Sequence, residues 1–343
     1  MVAAVPWARH GAGHTYAFDE QVAWLATQSS KSTVTALMRV AWRTVGAVIT
    51  RVWADTESQT DRFEGLARIG IDEISYKRGH KYLMVVVDHD TRRLVWAAPG
   101  RDKATVGAFF DLLGRQRCAQ ITHVCADGAE FIDAIVAKKC PNAVRVADPF
   151  HVVRWATVAL DEVRRQAWNQ ARSQARGEPR RGTGRPLAGA PPRPGNERAK
   201  ALKDARYALW KNPEDLTHHQ QVKLAWIAAT DPRLHRAYLL KEGLRIIFKL
   251  PHQEAVTALD RWISWARRCR IPAFVKLQKV ILKHRARILA SIAHHLSNAL
   301  IESTNTKIRL ITRVAFGFHS PEPLIALAML SLGGYRPALP GRT

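Results

Sequence analysis

Three acidic residues, Asp72, Asp127 and Glu302, have the chemical type and the local setting needed to act together on bound metal ions. Paired magnesium ions require oxygen ligands, which carboxylates supply. The chain also has a formal net charge of +24, because 53 Lys and Arg residues outnumber 29 Asp and Glu residues. Nucleic-acid phosphates are the leading partner for so basic a chain, so we expect metal-assisted chemistry on a phosphodiester.

The elements that must position Asp72 and Asp127 lie between residues 68 and 150. Apolar runs and alternation predict strands at ARIGIDEISYK, KYLMVVVDHD, RRLVWAAPG, AQITHVCAD and AVRVADPF. Helical spacing predicts helices at DKATVGAFFDLLGRQ and AEFIDAIVAKK. The predicted order is three strands, a helix, a strand, a helix and a strand. This is the order of an RNase H-like mixed sheet, which is an α/β fold. In that arrangement the first and fourth strands are neighbours at the centre of the sheet.

Asp72 lies on the first predicted strand and Asp127 lies just past the fourth. Their carboxylates would therefore face each other at one end of the sheet, which is unfavourable unless cations lie between them. A pair of magnesium ions would supply that charge. Each residue also has a simpler interpretation: Asp72 could be a turn residue at a strand end, and Asp127 could cap a helix, with Gly128 easing the turn.

Glu302 belongs to a predicted helix near the end of the chain. Glu302, Asn305 and Arg309 fall on one broad face of that helix, at offsets of three and seven residues. Two further cations, Lys307 and Arg313, lie close beside this face. The glutamate could bind a metal ion while the amide and the cations hold a DNA backbone. The alternative is an exposed helix face with a Glu-Arg pair.

The first 60 residues predict three short helices with tight connections, which suits a helix-turn-helix unit. Its third helix, about Trp42 to Ala54, would enter the major groove of DNA. Arg43, Thr44 and Arg51 would then be available for phosphates or bases. A plain three-helix packing unit with solvated arginines is the alternative.

The chain becomes helical beyond the fifth strand, which predicts an all-helical insertion at residues 153–295 between the two parts of the core, 66–152 and 296–343. Residues 172–200 are rich in Pro, Gly and Arg, and predict a mobile basic loop. Trp262 and Trp265 stand three residues apart beside several arginines. Core packing is the default interpretation of such a pair, and stacking on an unpaired base is the alternative.

The absence of long apolar runs in the sequence indicates where in the cell the protein is expected. The sequence contains no apolar run of the roughly 18 residues that a membrane helix needs, and its start lacks the apolar core of a signal peptide. We therefore expect a soluble cytoplasmic protein. The four cysteines, Cys118, Cys125, Cys140 and Cys269, lack zinc-type spacing, so we expect buried free thiols.

Four segments, IDEISYKRGHKY, CADGAEF, PNAVRVADPFHVV and IESTNTKIRLITRVAFGF, together resemble the bacterial insertion-sequence transposases of the ISL3 family. The resemblance extends over nearly the whole chain, and the closing segment is specific. It implies an RNase H-like core that is interrupted by a helical insertion ahead of a catalytic glutamate. Position by position, the two catalytic aspartates fall on Asp72 and Asp127, and the glutamate falls on Glu302.

Three further residues match the family pattern. Arg309 fills the position, seven residues after the glutamate, where such transposases commonly have a basic residue. Asp148 and His151 lie in the matching DPFHV segment, which implies a supporting role for both, although Asp148 could also cap the following helix.

The resemblance also implies a reaction and its partners. Two magnesium or manganese ions per active site would support attack by water at an element end, followed by attack of the freed 3′-hydroxyl on target DNA. The partners would be double-stranded DNA, as terminal inverted repeats and as target. We expect a homodimer on DNA, in the nucleoid of a bacterial cytoplasm, with no membrane and no organic cofactor.

Members of this family usually begin with a cysteine-rich zinc ribbon ahead of the helix-turn-helix, whereas this sequence starts MVAAVPWARHG. The expectation is a catalytic core with weak targeting to element ends. Two rival functions use the same residues. An RNase H-like nuclease or resolvase would cut without joining, and a transposon-derived regulator would bind DNA through residues 1–60 without cutting it.

Overall fold

A computed structural model describes residues 5–10, 12–126, 130–177 and 194–339 of the chain. Its contacts divide the chain into two compact units. The first unit comprises Met1–Val146 and Leu296–Thr343, and the second unit comprises Ala147–His295. Each unit has a hydrophobic core of its own, so the two are described separately below.

The first unit begins with three helices, α1 (Tyr16–Gln28), α2 (Lys31–Met38) and α3 (Trp42–Gln59). Side-chain caps start two of them, because Thr15 and Ser30 each accept a hydrogen bond from a backbone N–H three residues later. Val45, Val48 and Val52 recur at helical spacing along α3 and are buried. This confirms the helical unit, although α3 extends to Gln59 rather than ending near Ala54.

A five-stranded mixed sheet follows and confirms the predicted α/β fold. Its strands and the two helices between them are β1 (Arg68–Lys77), β2 (Lys81–Asp88), β3 (Leu94–Pro99), α4 (Lys103–Gln120), β4 (His123–Ala126), α5 (Glu130–Lys139) and β5 (Val144–Val146). The strand order is β3-β2-β1-β4-β5. The pairs β1–β2 and β2–β3 are antiparallel, whereas β1–β4 and β4–β5 are parallel. As predicted, the first and fourth strands are neighbours.

The second unit consists of helices where the structure describes it. They are α6 (Pro149–Gly177), α7 (Pro194–Asp204), α8 (Arg206–Trp210), α9 (His218–Thr230), α10 (Pro232–Ile247), α11 (His252–Arg268), α12 (Pro272–Lys283) and α13 (Arg285–His294), with a short 3₁₀ turn at Pro213–Asp215. They surround one core that includes Leu160, Leu240 and Phe274. This confirms the helical insertion that the sequence predicts.

The predicted loop at 172–200 is shorter at both ends than expected. Helix α6 continues to Gly177, and α7 begins at Pro194. Ala199 and Leu202 give α7 an apolar side that joins the core, so tertiary packing stabilises a segment whose local composition looks too polar to fold. Residues 178–193 lie outside the described part of the chain.

Two helices complete the first unit, α14 (Ala299–Val314) and α15 (Glu322–Leu332). They join α1–α3 on one face of the sheet, where they pack against Leu83, Val85 and Val87 of β2. Helices α4 and α5 cover the opposite face, against Met84 and Val86. Strand β2 is therefore buried on both sides, which explains its continuous apolar run.

All four cysteines are free and buried, as predicted. Burial, together with the neighbouring Cys118, raises the pKa of the Cys140 thiol to about 12. Such thiols are inert packing residues, since the reactive form is the thiolate. Within the described residues, no helix is long and apolar enough to cross a membrane.

Candidate active site

Asp72 lies on β1 at the point where β4 ends beside it. Ile71 pairs with Ala126, the last described residue of β4, and Asp72 pairs with Val85 on the other side. Alternation along β1 places Asp72 on the same face as Ile74, which packs in the core that contains α14. Asp127, the second predicted carboxylate, lies outside the described residues.

A hydrogen bond joins helix α14 to Asp72 on β1, beside the packing of Ile301 and Ile308 in the same core as Ile74. The amide Nδ2 of Asn305 donates a hydrogen bond to Asp72 Oδ2 at 2.8 Å. Asp72 is half-buried and Asn305 is 3% exposed, so the contact is largely screened from water. A hydrogen bond to a carboxylate fixes that group more strongly than one between neutral partners.

A second contact ties the start of α14 to β4. The thiol of Cys125 donates to Asn298 Oδ1 at 2.9 Å, and both residues are buried. Asn298, Glu302 and Asn305 are spaced by four and three residues, so they follow one stripe of the helix. Glu302 therefore lies on α14 between Asn298, which contacts β4, and Asn305, which contacts β1.

The side chain of Glu302 is exposed, unlike that of Asn305. An α-helix turns about 100° per residue, so Asn305 is rotated by about 60° from Glu302, whereas Arg309 differs by only about 20°. The prediction that Asn305 joins a DNA-facing surface is therefore wrong, because this rotation turns its amide into the sheet. Lys307, Arg309 and Arg313 are exposed, and their contact with DNA stays a prediction.

The oxygen atoms near Asp72 suit a hard divalent cation. Asn305 Oδ1 is buried and has no hydrogen-bond partner among the described residues. A buried carbonyl oxygen in that state is costly, and a cation would satisfy it. The part of the chain that the structure describes contains no group of three or more His, Cys, Asp or Glu side chains able to hold a metal ion. That part includes only Asp72 and Glu302 of the three predicted ligands.

Asp148 and His151 stand at the start of α6 in the second unit. Asp148 is 4% exposed, and its Oδ2 accepts the backbone N–H of His151 at 3.2 Å. The same oxygen lies 2.9 Å from His151 Nδ1. Asp148 therefore caps the helix, as the simpler interpretation of the sequence proposed, and it also orients the imidazole ring.

The predicted DNA-reading residues of α3 differ in their surroundings. Arg43 is exposed and Thr44 is half-buried. Arg51 instead forms an ion pair with Asp19, which is fully buried, through contacts of 3.1–3.2 Å. Arg9 donates to the same carboxylate at 2.6 Å. In this arrangement Arg51 holds α3 to α1, while Arg43 is open to a ligand.

The tryptophan pair of α11 is split between the core and the surface. Trp262 is 3% exposed, and its indole N–H donates to the Leu240 carbonyl at 2.7 Å. Trp262 therefore packs in the core of the second unit, which is the default interpretation of the sequence, and the alternative of base stacking is wrong for this residue. Trp265 is 38% exposed, so stacking by this residue stays a prediction.

Two residues of this site were not predicted from sequence. Asn298 could have been found from its spacing of four and seven residues before Glu302 and Asn305. Cys125 carried no such signal, because a buried thiol in a strand looks like any other core residue. Both act through contacts between distant parts of the chain.

Two family models match the sequence. A model described as a transposase matches residues 69–328, and one described as the helix-turn-helix domain of transposase family ISL3 matches residues 3–53. The chain is 68% identical over 341 residues to the transposase for insertion sequence element IS1557 in two strains of Mycobacterium tuberculosis. That alignment covers 99% of this chain and 77% of the relative.

A more distant relative is also described as a transposase of an insertion sequence element. The transposase for insertion sequence element IS1001 of Bordetella parapertussis is 28% identical over 302 residues, which is 87% of this chain and 68% of the relative. The two family matches together cover most of the helical N-terminal unit, the sheet from residue 69, the helical insertion and α14.

Proposed function

Since this chain belongs to the ISL3 family of transposases, we propose that it cleaves DNA at the ends of an insertion sequence and joins the freed ends to target DNA. The contact between Asn305 and Asp72 carries the proposal, because it fixes the helix of Glu302 against the strand of Asp72. The third acid, Asp127, directly follows β4, the strand beside β1.

Asp72, Asp127 and Glu302 would hold two magnesium or manganese ions, and Asn305 Oδ1 is a fourth available oxygen. When bound, such ions activate the attacking oxygen and offset charge on the phosphate. The oxygen-only donor set fits these hard cations better than it fits zinc or copper.

The protein's own side chains then have separate tasks. Asn305 fixes the orientation of the Asp72 carboxylate through its N–H donor. Arg309 and Arg313 are exposed on α14 and lie within about 20° of Glu302 around the helix, where they would hold the phosphate backbone beside the acids. Lys307 is exposed farther round the helix, where it would contact the same backbone away from the acids. Arg43 would position the helical N-terminal unit on the duplex, and two copies of the chain would bring two element ends together.

The test is cleavage of a plasmid that carries the insertion-sequence ends. Asp72→Asn, Asp127→Asn and Glu302→Gln should each reduce strand cleavage by about 100-fold or more, because each removes an ion ligand. DNA binding should change little. Glu73→Gln is the matched control, since Glu73 is the next residue on β1, is exposed and faces the other side of the sheet.

Retained cleavage in Asp72→Asn would sink the assignment of the site. Normal cleavage by the unmodified protein without any joined product would instead indicate a nuclease that uses the same acids.

A further inference from the structure

Two basic clefts of the first unit meet at the loop that precedes α15. One cleft, of about 720 Å³, lies between α3 and α15, and we call it the helix cleft. The other, of about 570 Å³, lies between the β1–β2 hairpin and the end of β3, and we call it the hairpin cleft. His319 and Ser320 line both clefts, so the two form one continuous surface.

The hairpin cleft is basic throughout. Lys77, Lys81 and Arg101 line it and are exposed, and none of the described residues that line it is acidic. Three unopposed cations on one concave surface create a field that attracts a polyanion. The charge therefore indicates a ligand with several phosphates rather than a neutral one.

Of the two tyrosines that line the hairpin cleft, Tyr76 packs against the hydrophobic core, and the Tyr82 ring is already in contact with two side chains. Arg101 lies 4.3 Å from the centroid of the Tyr82 ring, and the His80 ring stacks on the same ring at 6.5 Å. Tyr82 therefore orients the two basic side chains, and its faces are not open for a nucleobase. This arrangement favours contact with the DNA backbone over stacking of an unpaired base.

The helix cleft contains a buried cation that lacks a hydrogen-bond acceptor. Lys31 is only 4% exposed, and its Nζ lies 4.4 Å from the Phe318 ring centroid and 5.3 Å from that of Trp42. Its ammonium group has no hydrogen-bond partner among the described residues. Burial lowers the pKa of Lys31. A phosphate oxygen in the cleft would give this ammonium group the acceptor that the protein does not provide.

The junction of the clefts adds a further donor site. Helix α15 begins there, and Pro321 at its N-cap position offers no side-chain cap. Pro323 in this first turn has no N–H and Leu324 is fully buried, so the Glu322 N–H is the donor that the helix start offers to an anion. One acid, Glu322, lies in this turn and in the helix cleft, where Lys31 and Arg43 outnumber it.

Both clefts connect to the catalytic end of the sheet. Strand β1 runs from Asp72 to Lys77 at the hairpin, a distance of about 17 Å for five extended residues. Helix α14, which carries Glu302, leads through Gly317 to Phe318 in the helix cleft, with Gly317 at a positive φ of 93° that permits the turn. Asp72 is therefore joined to this surface by one strand, and Glu302 is joined to it by helix α14 and the loop that follows.

We propose that the two clefts form one phosphate-binding path for duplex DNA, from Lys31 and Arg43 past His319 to Lys77, Lys81 and Arg101. The path would hold the DNA that runs between the helical N-terminal unit and the acids at Asp72. This inference rests on the proposed function, because that function supplies the DNA and the site that cuts it.

The test measures binding of a mixed-sequence duplex to the full chain, in chelator, at several salt concentrations. Lys77→Gln combined with Lys81→Gln should weaken binding about tenfold and should lower the slope of log K against log salt by about 0.9 per lost phosphate contact. Arg115→Gln combined with Lys138→Gln is the matched control. It removes the same charge from exposed residues of α4 and α5, on the opposite face of the sheet.

A second variant tests the buried cation. Lys31→Met keeps the length and the packing of the side chain but removes the charge, so the thermal midpoint should stay equal or rise. Binding should nevertheless weaken, with a smaller salt slope. If Lys31→Met instead lowers the thermal midpoint, its weaker binding would come from unfolding, and the role given to Lys31 would be wrong.

If the double hairpin variant binds DNA with the affinity and salt slope of its control, the path is wrong. That outcome is independent of the catalytic proposal, because binding is measured without metal. Loss of cleavage in Asp72→Asn with normal binding would still support the active site, whereas normal cleavage in Asp72→Asn would leave the binding path standing.

Discussion

At the scale of single residues, the most informative contact is the one between Asn305 and Asp72. An amide that donates to a carboxylate fixes the carboxylate without neutralising it, and this suits a metal ligand that must remain ionised. Asn305 is therefore a positioning residue for the proposed reaction. Its buried, unpartnered oxygen is consistent with the same role.

Asn305→Asp should lower cleavage by about 10- to 100-fold near neutral pH. Two carboxylates within hydrogen-bond distance cannot both ionise freely, so the pair would hold a proton and its upper apparent pKa would rise. The variant should therefore regain activity as pH rises, with its pH–rate profile shifted to higher pH. The measurement is cleavage rate against pH, with Ser303→Ala on the exposed side of the same turn as control. An unshifted profile would contradict the positioning role.

At the scale of secondary-structure elements, α3 carries out two tasks with two similar side chains. Arg51 is bonded to the fully buried Asp19 of α1, whereas Arg43 is exposed in the helix cleft. A helix-turn-helix unit needs both kinds of residue, since the helix must be anchored before it can present a surface to DNA. The sequence marks the two arginines as equivalent, and only the position of Asp19 separates them.

Arg51→Gln should lower the free energy of unfolding by about 1.5–3 kcal/mol, because hydrogen bonds to a buried carboxylate are lost. Arg43→Gln should change that free energy by less than about 0.5 kcal/mol, as is usual for an exposed residue, but should weaken DNA binding. Urea unfolding followed by circular dichroism, together with duplex binding, measures both effects. Equal stability losses in the two variants would refute this division of tasks.

At the scale of the whole molecule, the two units have separate cores. The core of the second unit includes Leu240, Leu244 and Trp262, and its members all lie within residues 147–295. The start of the unit is bonded to its last helix, since the Ala147 N–H donates to the Arg287 carbonyl of α13 at 3.1 Å. A unit with a core of its own can fold without the rest of the chain.

Residues 147–295 expressed alone should therefore form a helical protein with cooperative thermal unfolding. Leu240→Ala in that fragment should lower its stability by about 2–5 kcal/mol, because Leu240 is fully buried. Circular dichroism against temperature measures both quantities. A broad, non-cooperative transition would show that this core depends on the first unit.

The amino-acid sequence by itself determined the order of helices and strands, the α/β class and the helical insertion, because apolar periodicity and turn residues act over a few neighbours. It also placed Asp72 on β1 and Glu302 on α14, since both lie within strongly patterned segments. The predicted strand order also brought Asp127 beside Asp72, whereas the family resemblance added Glu302 as the third acid of the same site, which no local pattern carries.

Only the tertiary structure decided which polar side chains face inward. Asn305 turns to Asp72 across 233 residues of sequence, Arg51 turns to Asp19, and Trp262 enters a core instead of meeting a base. Helical spacing gives the angle between residues on one helix, but not the direction in which that helix is rotated against its neighbours. That rotation is decided by burial summed over the whole core, so contacts between distant segments depend on the complete fold.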